Sequence, residues 1–322
     1  MTKTKTFKLA ASAGLLAWLA WRTDWTQVVQ AFARLRVSLW LAAVGLYVFS
    51  QVVSGLRWQM LARPLGFRRR LGPFVAFYFI GMYFNLFLPT SVGGDVVRAW
   101  YLDGGSGRRL AAFVSVLVDR LSGLLVLLGL ACVAAVLCPV PVPRWVVAAV
   151  WGAAAGAGLG LVALPLLTHW GGRRARPLAD GIRFYLARPR LLVASAGLSL
   201  GVQAANVVLV WLIGLAIGAP VPAAYYWIVV PMVTLLTLAP LSLNGMGLRE
   251  WGMVLFLRPL GVGAGTALSL AFLWFSVFTV SSLLGAAVYL WGSFPRPEVQ
   301  PDHGPLGDHP RQGRTRQYPT AA

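Results

Sequence analysis

Residues 88–100 read LPTSVGGDVVRAW. A proline, two glycines, a carboxylate and a guanidinium follow directly on the run 72–88, which carries no charged residue. Proline removes a backbone donor and glycine weakens a helix, so an apolar helix is predicted to stop near Leu88 and to restart after Gly94. The rest of the chain decides what such a break means.

Of the 322 residues, 58% are hydrophobic and only 11% charged, with a mean hydropathy of +0.71. Soluble domains are roughly a quarter charged. Uncharged or nearly uncharged runs recur at about 8–21, 38–62, 110–138, 145–168, 191–217 and 265–292, with helical rather than alternating texture. A helix that spans a bilayer needs about 20 apolar residues. The pattern predicts an all-α integral membrane protein with about six spanning helices. Two weaker segments, 72–88 and 225–240, each run into a Pro–Gly break and predict two re-entrant or broken helix pairs.

Lys3, Lys5 and Lys8 precede the first run, which ends in Trp18 and Trp21 rather than at a small-residue cleavage site, so it reads as a retained helix. From about 293 the chain changes to Pro295, Pro297, Pro301, Pro305, Pro310 and Pro319 among polar and charged residues. The expected organisation is a transmembrane domain over 1–292 and a disordered Pro- and Arg-rich tail over 293–322.

The break at Leu88 has a counterpart. Pro89–Arg98 aligns without a gap on Pro240–Arg249, sharing the pattern P-x-S-apolar-[GN]-G-x-x-apolar-R. Interrupted apolar segments at matching places in two halves point to a transporter-type site at the membrane midplane. Loop charges choose the topology. If 72–102 enters from the cytoplasm and 225–258 from outside, 20 Lys/Arg face the cytoplasm: 3 in the N-terminus, 4 at 63–70, 3 at 98–109, 6 at 169–190 and 4 in the tail. Only Arg22, Arg34, Arg36, Arg144 and Arg258 then face out, as the positive-inside rule demands. In that topology the halves would form an inverted repeat whose breaks meet in a cavity, with both termini cytoplasmic.

Four groups of residues carry the expected chemistry. Ser91, Gly93, Gly94, Asp95 and Arg98 belong to the first break, and Asn244, Gly245, Gly247, Arg249 and Glu250 to the second. Helices restarting there would present unpaired N–H groups and a positive dipole end, and with Arg98 and Arg249 they suit an anion such as phosphate. In the structural alternative, Asp95 and Glu250 only compensate the dipoles and pair with the arginines. Asp119 and Arg120 lie roughly 15 Å into the helix that starts near Arg109, point about 100° apart, and so require different partners. Counting all six charged groups gives a neutral set that could also be a static ion network. Asn85 and Asn206 read either as ligands or as bridges between helices. Arg57, near a helix end, is expected to snorkel toward the interface.

Several classes are excluded or disfavoured. Cys132 and Cys138 are six apart in or beside one apolar run, and His169, His303 and His309 lie in loops or tail, so neither metal ligands nor a nucleophile–His pair can be assembled. There is no phosphate loop of the Walker type and no H-E-x-x-H. No cofactor and no catalytic residue are expected. The +19 net charge lies mainly in short loops, which suits anionic lipid head groups rather than nucleic acid.

Three ordered motifs, LFLPTSVGGDVVRAW, VLVDRLSGLLVLL and LAPLSLNGMGLREWGMVL, resemble the lysylphosphatidylglycerol synthase transmembrane family of flippase-like membrane proteins. The likeness covers nearly all of 5–292. It implies a polytopic inner-membrane protein, in some members fused to a soluble aminoacyl transferase and held to translocate the aminoacylated lipid. The family pattern falls on Pro89, Gly93, Gly94, Asp95 and Arg98, on Asp119 and Arg120, and on Gly245, Gly247, Arg249 and Glu250. Asn244 stands where Gly or Ser is expected, and residues after 292 leave no room for the transferase.

The reading is a flippase-like translocator of an anionic or phosphate-bearing lipid, with membrane lipids as partners and a homo-oligomer or a separate lipid-modifying synthase as a further possible partner. Two readings stand against it: a membrane-embedded transferase acting on a lipid-linked substrate, and a non-transporting scaffold.

Overall fold

The computed structural model describes residues 21, 25–88, 93–139, 142–170, 180–238 and 245–292, and every regular element among them is helical. The helices are α1 (Trp25–Ala33), α2 (Val37–Ala62), α3 (Leu71–Phe87), α4 (Gly93–Asp103), α5 (Arg109–Leu137), α6 (Arg144–Trp170), α7 (Pro189–Ala216), α8 (Ala223–Leu238), α9 (Leu248–Leu257) and α10 (Ala264–Trp291). A further short helix occupies 180–186. Val37–Leu65, α5, α7 and α10 are long and apolar enough to cross a membrane, while α3 and α8 are shorter apolar helices. The expected span at 145–168 is the continuous 27-residue α6. The run 8–21 and the tail lie outside the described residues. The stretch 25–33, between the expected runs 8–21 and 38–62, is the helix α1, packed on α10.

The internal repeat expected from the two breaks extends over most of the structure. In α2, α3, α4 and α5, with 26, 17, 11 and 29 residues, the chain runs long, short, short, long. In α7, α8, α9 and α10 it does so again with 28, 16, 10 and 28 residues. Packing obeys the same correspondence. α3 lies on α4 and α10, and α8 on α9 and α5; α5 touches α7, and α10 touches α2. The short helix 180–186 sets Tyr185 against Val114 and Val118 of α5, as α1 sits on α10.

The two lead helices, α2 and α7, pack side by side and run antiparallel. Arg36 N–H at the start of α2 donates to Ala216 O at the end of α7, while Tyr185, just before α7, donates its hydroxyl to Leu61 O near the end of α2. A two-fold axis relating the halves therefore crosses these helices instead of running along them, which is the geometry of an inverted repeat.

The apolar side chains bury in two main clusters, the second of which also takes Ala43 and Ala131 from the first half. Trp58, Phe74, Phe77, Ile80 and Leu102 pack in the first, and Val207, Ile213, Tyr226, Val229, Met253 and Leu270 in the second. Close backbone approach fixes the first broken pair. A Cβ on Gly94 would collide with the Gly81 carbonyl, so α3 and α4 touch where both residues are glycine.

Candidate functional site

Polar groups in α2 recur at Ser50, Gln51, Ser54 and Arg57, a spacing of three to four that lines one side of an otherwise apolar helix. That side faces inward, and Arg57 is 4% exposed. Its Nε donates to Asp119 Oδ1 at 2.8 Å and its Nη1 to Ser199 Oγ at 2.7 Å, tying α2 to α5 and α7. Arg57 therefore does not snorkel. A carboxylate held at 0% exposure draws it into the interior, because a lone buried charge would be far costlier than the pair.

Asp119 and Arg120 indeed take different partners. Asp119 faces Arg57 and, at 3.6 Å, Arg98 Nη2. Arg120 makes a two-pronged contact with Asp95, Nε to Oδ2 at 2.8 Å and Nη2 to Oδ1 at 3.0 Å. Arg98 Nη2 closes the row at 3.0 Å from Asp95 Oδ1. The result is an alternating line, Arg57–Asp119–Arg98–Asp95–Arg120, across α2, α5 and α4. Three arginines on two aspartates leave it one positive charge in excess. Arg98 also lies over the rings of Tyr78 and Trp58, 4.2 and 4.9 Å from their centroids.

The second break is built differently. Gly245 and Gly247 turn the chain with φ of 75° and 84°, a left-handed conformation that only glycine adopts cheaply. Glu250, buried in the first turn of α9, accepts the Gly247 N–H at 2.6 Å. Arg249 lies over the Phe275 ring at 4.7 Å and near Trp274 at 5.9 Å. Glu250 thus acts as a helix cap, and the six charged groups do not form a single buried set.

Capping also occupies part of each restarted helix. At the first break the Gly94 N–H donates to Asn85 Oδ1 at 2.7 Å, and at the second the Gly247 N–H is taken by Glu250. Each helix start already has one intramolecular acceptor, which leaves an anion fewer backbone donors than an uncapped start would offer. Ser91 and Asn244 lie outside the described residues.

Between the halves lies a cavity of about 420 Å³. Its wall takes residues from α2, α3, α5, α7, α8, α9 and α10. Arg57, Arg120 and Arg249 line it, and no Asp or Glu does so among the described residues. Asp95, Asp119, Arg98, Gly93 and Gly94 stand behind the wall and position it. Arg120 is the bridge between the two, with a side chain 42% exposed while its fork holds Asp95. Asn85 and Asn206 are in the wall, and each also bonds within the protein, Asn85 to Gly94 and Asn206 to Gln203. Sequence reasoning missed the wall residues Gln51, Arg57 and Gln203. The three-to-four spacing of polar residues in α2 was the signal that could have found the first two.

A polytopic membrane protein of two inverted, similarly built halves, with a cationic cavity between them, is the class that this fold and site define. The chain belongs to the family described as Lysylphosphatidylglycerol synthase TM region, which matches residues 6–285. It is 30% identical over 169 residues to the glycosyltransferase AglD of Haloferax volcanii. That alignment covers 52% of this chain and 24% of the relative, so the likeness extends over only about a quarter of that protein's length. No solved structure matches.

Proposed function

We propose that this chain translocates a lipid with an anionic, phosphate-bearing head group. The head group would enter the cavity between the halves while the acyl or prenyl chains stay in the bilayer. The observation that carries the reading is the wall itself, with Arg57, Arg120 and Arg249 facing about 420 Å³ and no carboxylate among its described residues. A guanidinium about 4 Å from a phosphate is worth about 4 kcal/mol at an effective dielectric near 20, before desolvation. Intramembrane charges that line a cavity are functional by default. The near-equivalence of the two packing sets gives a simple route to alternating access, in which α3–α4 and α8–α9 act as re-entrant pairs on either side and rock about α2 and α7.

In this reading the protein is not an enzyme, it sits in the plasma membrane with both termini in the cytoplasm, and its partners are anionic lipids, with a second copy or a lipid-modifying synthase as a further partner. Reconstitution into liposomes tests it, by loss of outer-leaflet signal from labelled phosphatidylglycerol. Movement above that of empty liposomes, reduced about tenfold or more by Arg249→Gln, is the expected outcome, since a charge-assisted hydrogen bond is worth about 1.5–3 kcal/mol. Equal movement in the variant would remove the cavity from the mechanism.

A second reading draws on the named relative. A chain 30% identical to part of a glycosyltransferase could hold the lipid-linked partner of a sugar transfer instead of moving it. Formation of a glycosylated lipid from lipid and sugar donor, without leaflet exchange, would favour that reading.

A further inference from the structure

The cavity contains more than cations, and its neutral groups have a common feature. Ser54 donates its hydroxyl hydrogen to Ser50 O at 2.9 Å, Thr234 to Val230 O at 2.8 Å and Thr237 to Thr234 O at 2.7 Å. Each hydroxyl has one hydrogen to give, so what remains at these wall positions is lone pairs. The amides supply both kinds of group. Gln51 Nε2 is directed to Ser50 Oγ at 3.1 Å and Asn206 Nδ2 to Gln203 Oε1 at 3.4 Å, which leaves each carbonyl oxygen as an acceptor and a second N–H of each amide as a donor. Five neutral acceptors on α2, α7 and α8 thus share a wall with three guanidinium groups.

A ligand that satisfies both sets is anionic at one end and both donates and accepts hydrogen bonds at the other. A bare phosphate fills little of about 420 Å³. An ammonium head group supplies donors but adds positive charge beside Arg249 and beside an ion-pair row that is already one positive charge in excess. Neutral hydroxyls avoid both faults. We infer that the head group held here is a phosphate ester of a polyol, most simply a sugar phosphate, and that aminoacylated, cationic head groups are rejected. The aromatic wall side chains Tyr47, Trp274 and Phe278 suit the apolar faces of a sugar ring. The inference rests on the reading of this cavity as the head-group site and adds the chemistry of the organic part.

The test uses the full chain purified in detergent and isothermal titration with hexose 1-phosphate, glycerol 1-phosphate and phosphoethanolamine. Two additional neutral hydrogen bonds predict that hexose 1-phosphate binds about tenfold or more tightly than glycerol 1-phosphate. Phosphoethanolamine should be the weakest of the three. The variant Gln51→Leu/Asn206→Leu should bring hexose 1-phosphate down to the level of glycerol 1-phosphate and leave the latter within about twofold. Because that variant could fail to fold, the ranking of the three ligands on the unaltered protein stands as an independent measurement.

Equal affinities for hexose 1-phosphate and glycerol 1-phosphate would overturn the sugar and leave a glycerol-sized polyol phosphate, and phosphoethanolamine binding as tightly as either would overturn the exclusion of cations. If none of the phosphates binds to folded protein, the head-group reading falls as well. A second arm places hexosyl phosphoprenol and phosphatidylglycerol in proteoliposomes. Faster leaflet exchange of the glycosylated lipid identifies a lipid as the source of the sugar phosphate. Binding of soluble hexose 1-phosphate with no lipid exchange would keep the polyol phosphate and overturn the lipid.

Discussion

At the first break the arginine is surrounded by carboxylates; at the second it meets aromatic rings. Arg98 lies between Asp95 and Asp119, buried behind the cavity wall, whereas its counterpart Arg249 lines the cavity and rests on Phe275. The difference follows from single positions in the repeat. Met246 stands where the first break has Asp95, and the acid next to Arg249, Glu250, is occupied in capping its own helix. One copy of the motif clamps α4 to α5, and the other faces its cation into the cavity. A symmetric backbone carries an asymmetric site.

That contrast is broken most severely by Asp119→Ala. It leaves Arg57 and Arg98 facing one another without the carboxylate between them, in a region where Arg57 and Arg98 are both almost fully buried. Removing one partner of a buried ion pair costs about 3–5 kcal/mol. Denaturation in detergent should show that loss, and Arg57→Leu/Asp119→Leu should be more stable than the single change because no orphan charge remains. Arg249→Gln should instead cost no more than about 2 kcal/mol, since glutamine keeps a hydrogen-bonding side chain at the wall and the lost cation–π contact is offset in part by relief of desolvation. Equal destabilisation at both breaks would show that Arg249 is also a clamp.

How much of this was legible beforehand depends on the length scale. The two breaks could be read because proline, paired glycines and arginine recur in one order, and the packing correspondence between halves follows from that repeat. The different partners of Asp119 and Arg120 were legible from the angle between adjacent helical residues. Arg57 was not, because position near a helix end suggests an interfacial head group and nothing local reveals that Asp119 waits 62 residues away. Capping escaped for a similar reason. Asn85 reaches Gly94 only because α3 and α4 fold back on the Gly81–Gly94 contact, a tertiary event with no local pattern.

Restoring the lost acid sharpens the comparison from the other side. Met246→Asp would place a carboxylate in the turn before α9, three residues from Arg249, as Asp95 stands to Arg98. The fold has room for the smaller side chain, and Met246 is part-buried in a turn instead of a helix core. The new charge would compete with a phosphate for Arg249, so head-group affinity should fall about tenfold, 1.4 kcal/mol, with stability little changed. Titration with glycerol 1-phosphate measures it. Unaltered affinity would mean that the phosphate is held by Arg57 and Arg120 alone.

The smallest effect belongs to the residue that serves both roles. Arg120 grips Asp95 through two nitrogens, 2.8 and 3.0 Å from its two oxygens, and its side chain is 42% exposed to the cavity. Arg120→Lys keeps the charge and loses the fork, since an ammonium cannot meet both oxygens in one plane. Partial exposure screens the pair, which limits the loss of stability to roughly 1 kcal/mol. Phosphate affinity should drop only about threefold, because the cation remains while its orientation loosens. A loss as large as that of Asp119→Ala would place Arg120 wholly with the clamp. A loss of affinity without any loss of stability would place it wholly with the site, and the division between a structural half and a ligand-facing half would then run through a single helix turn of α5, between Asp119 and Arg120.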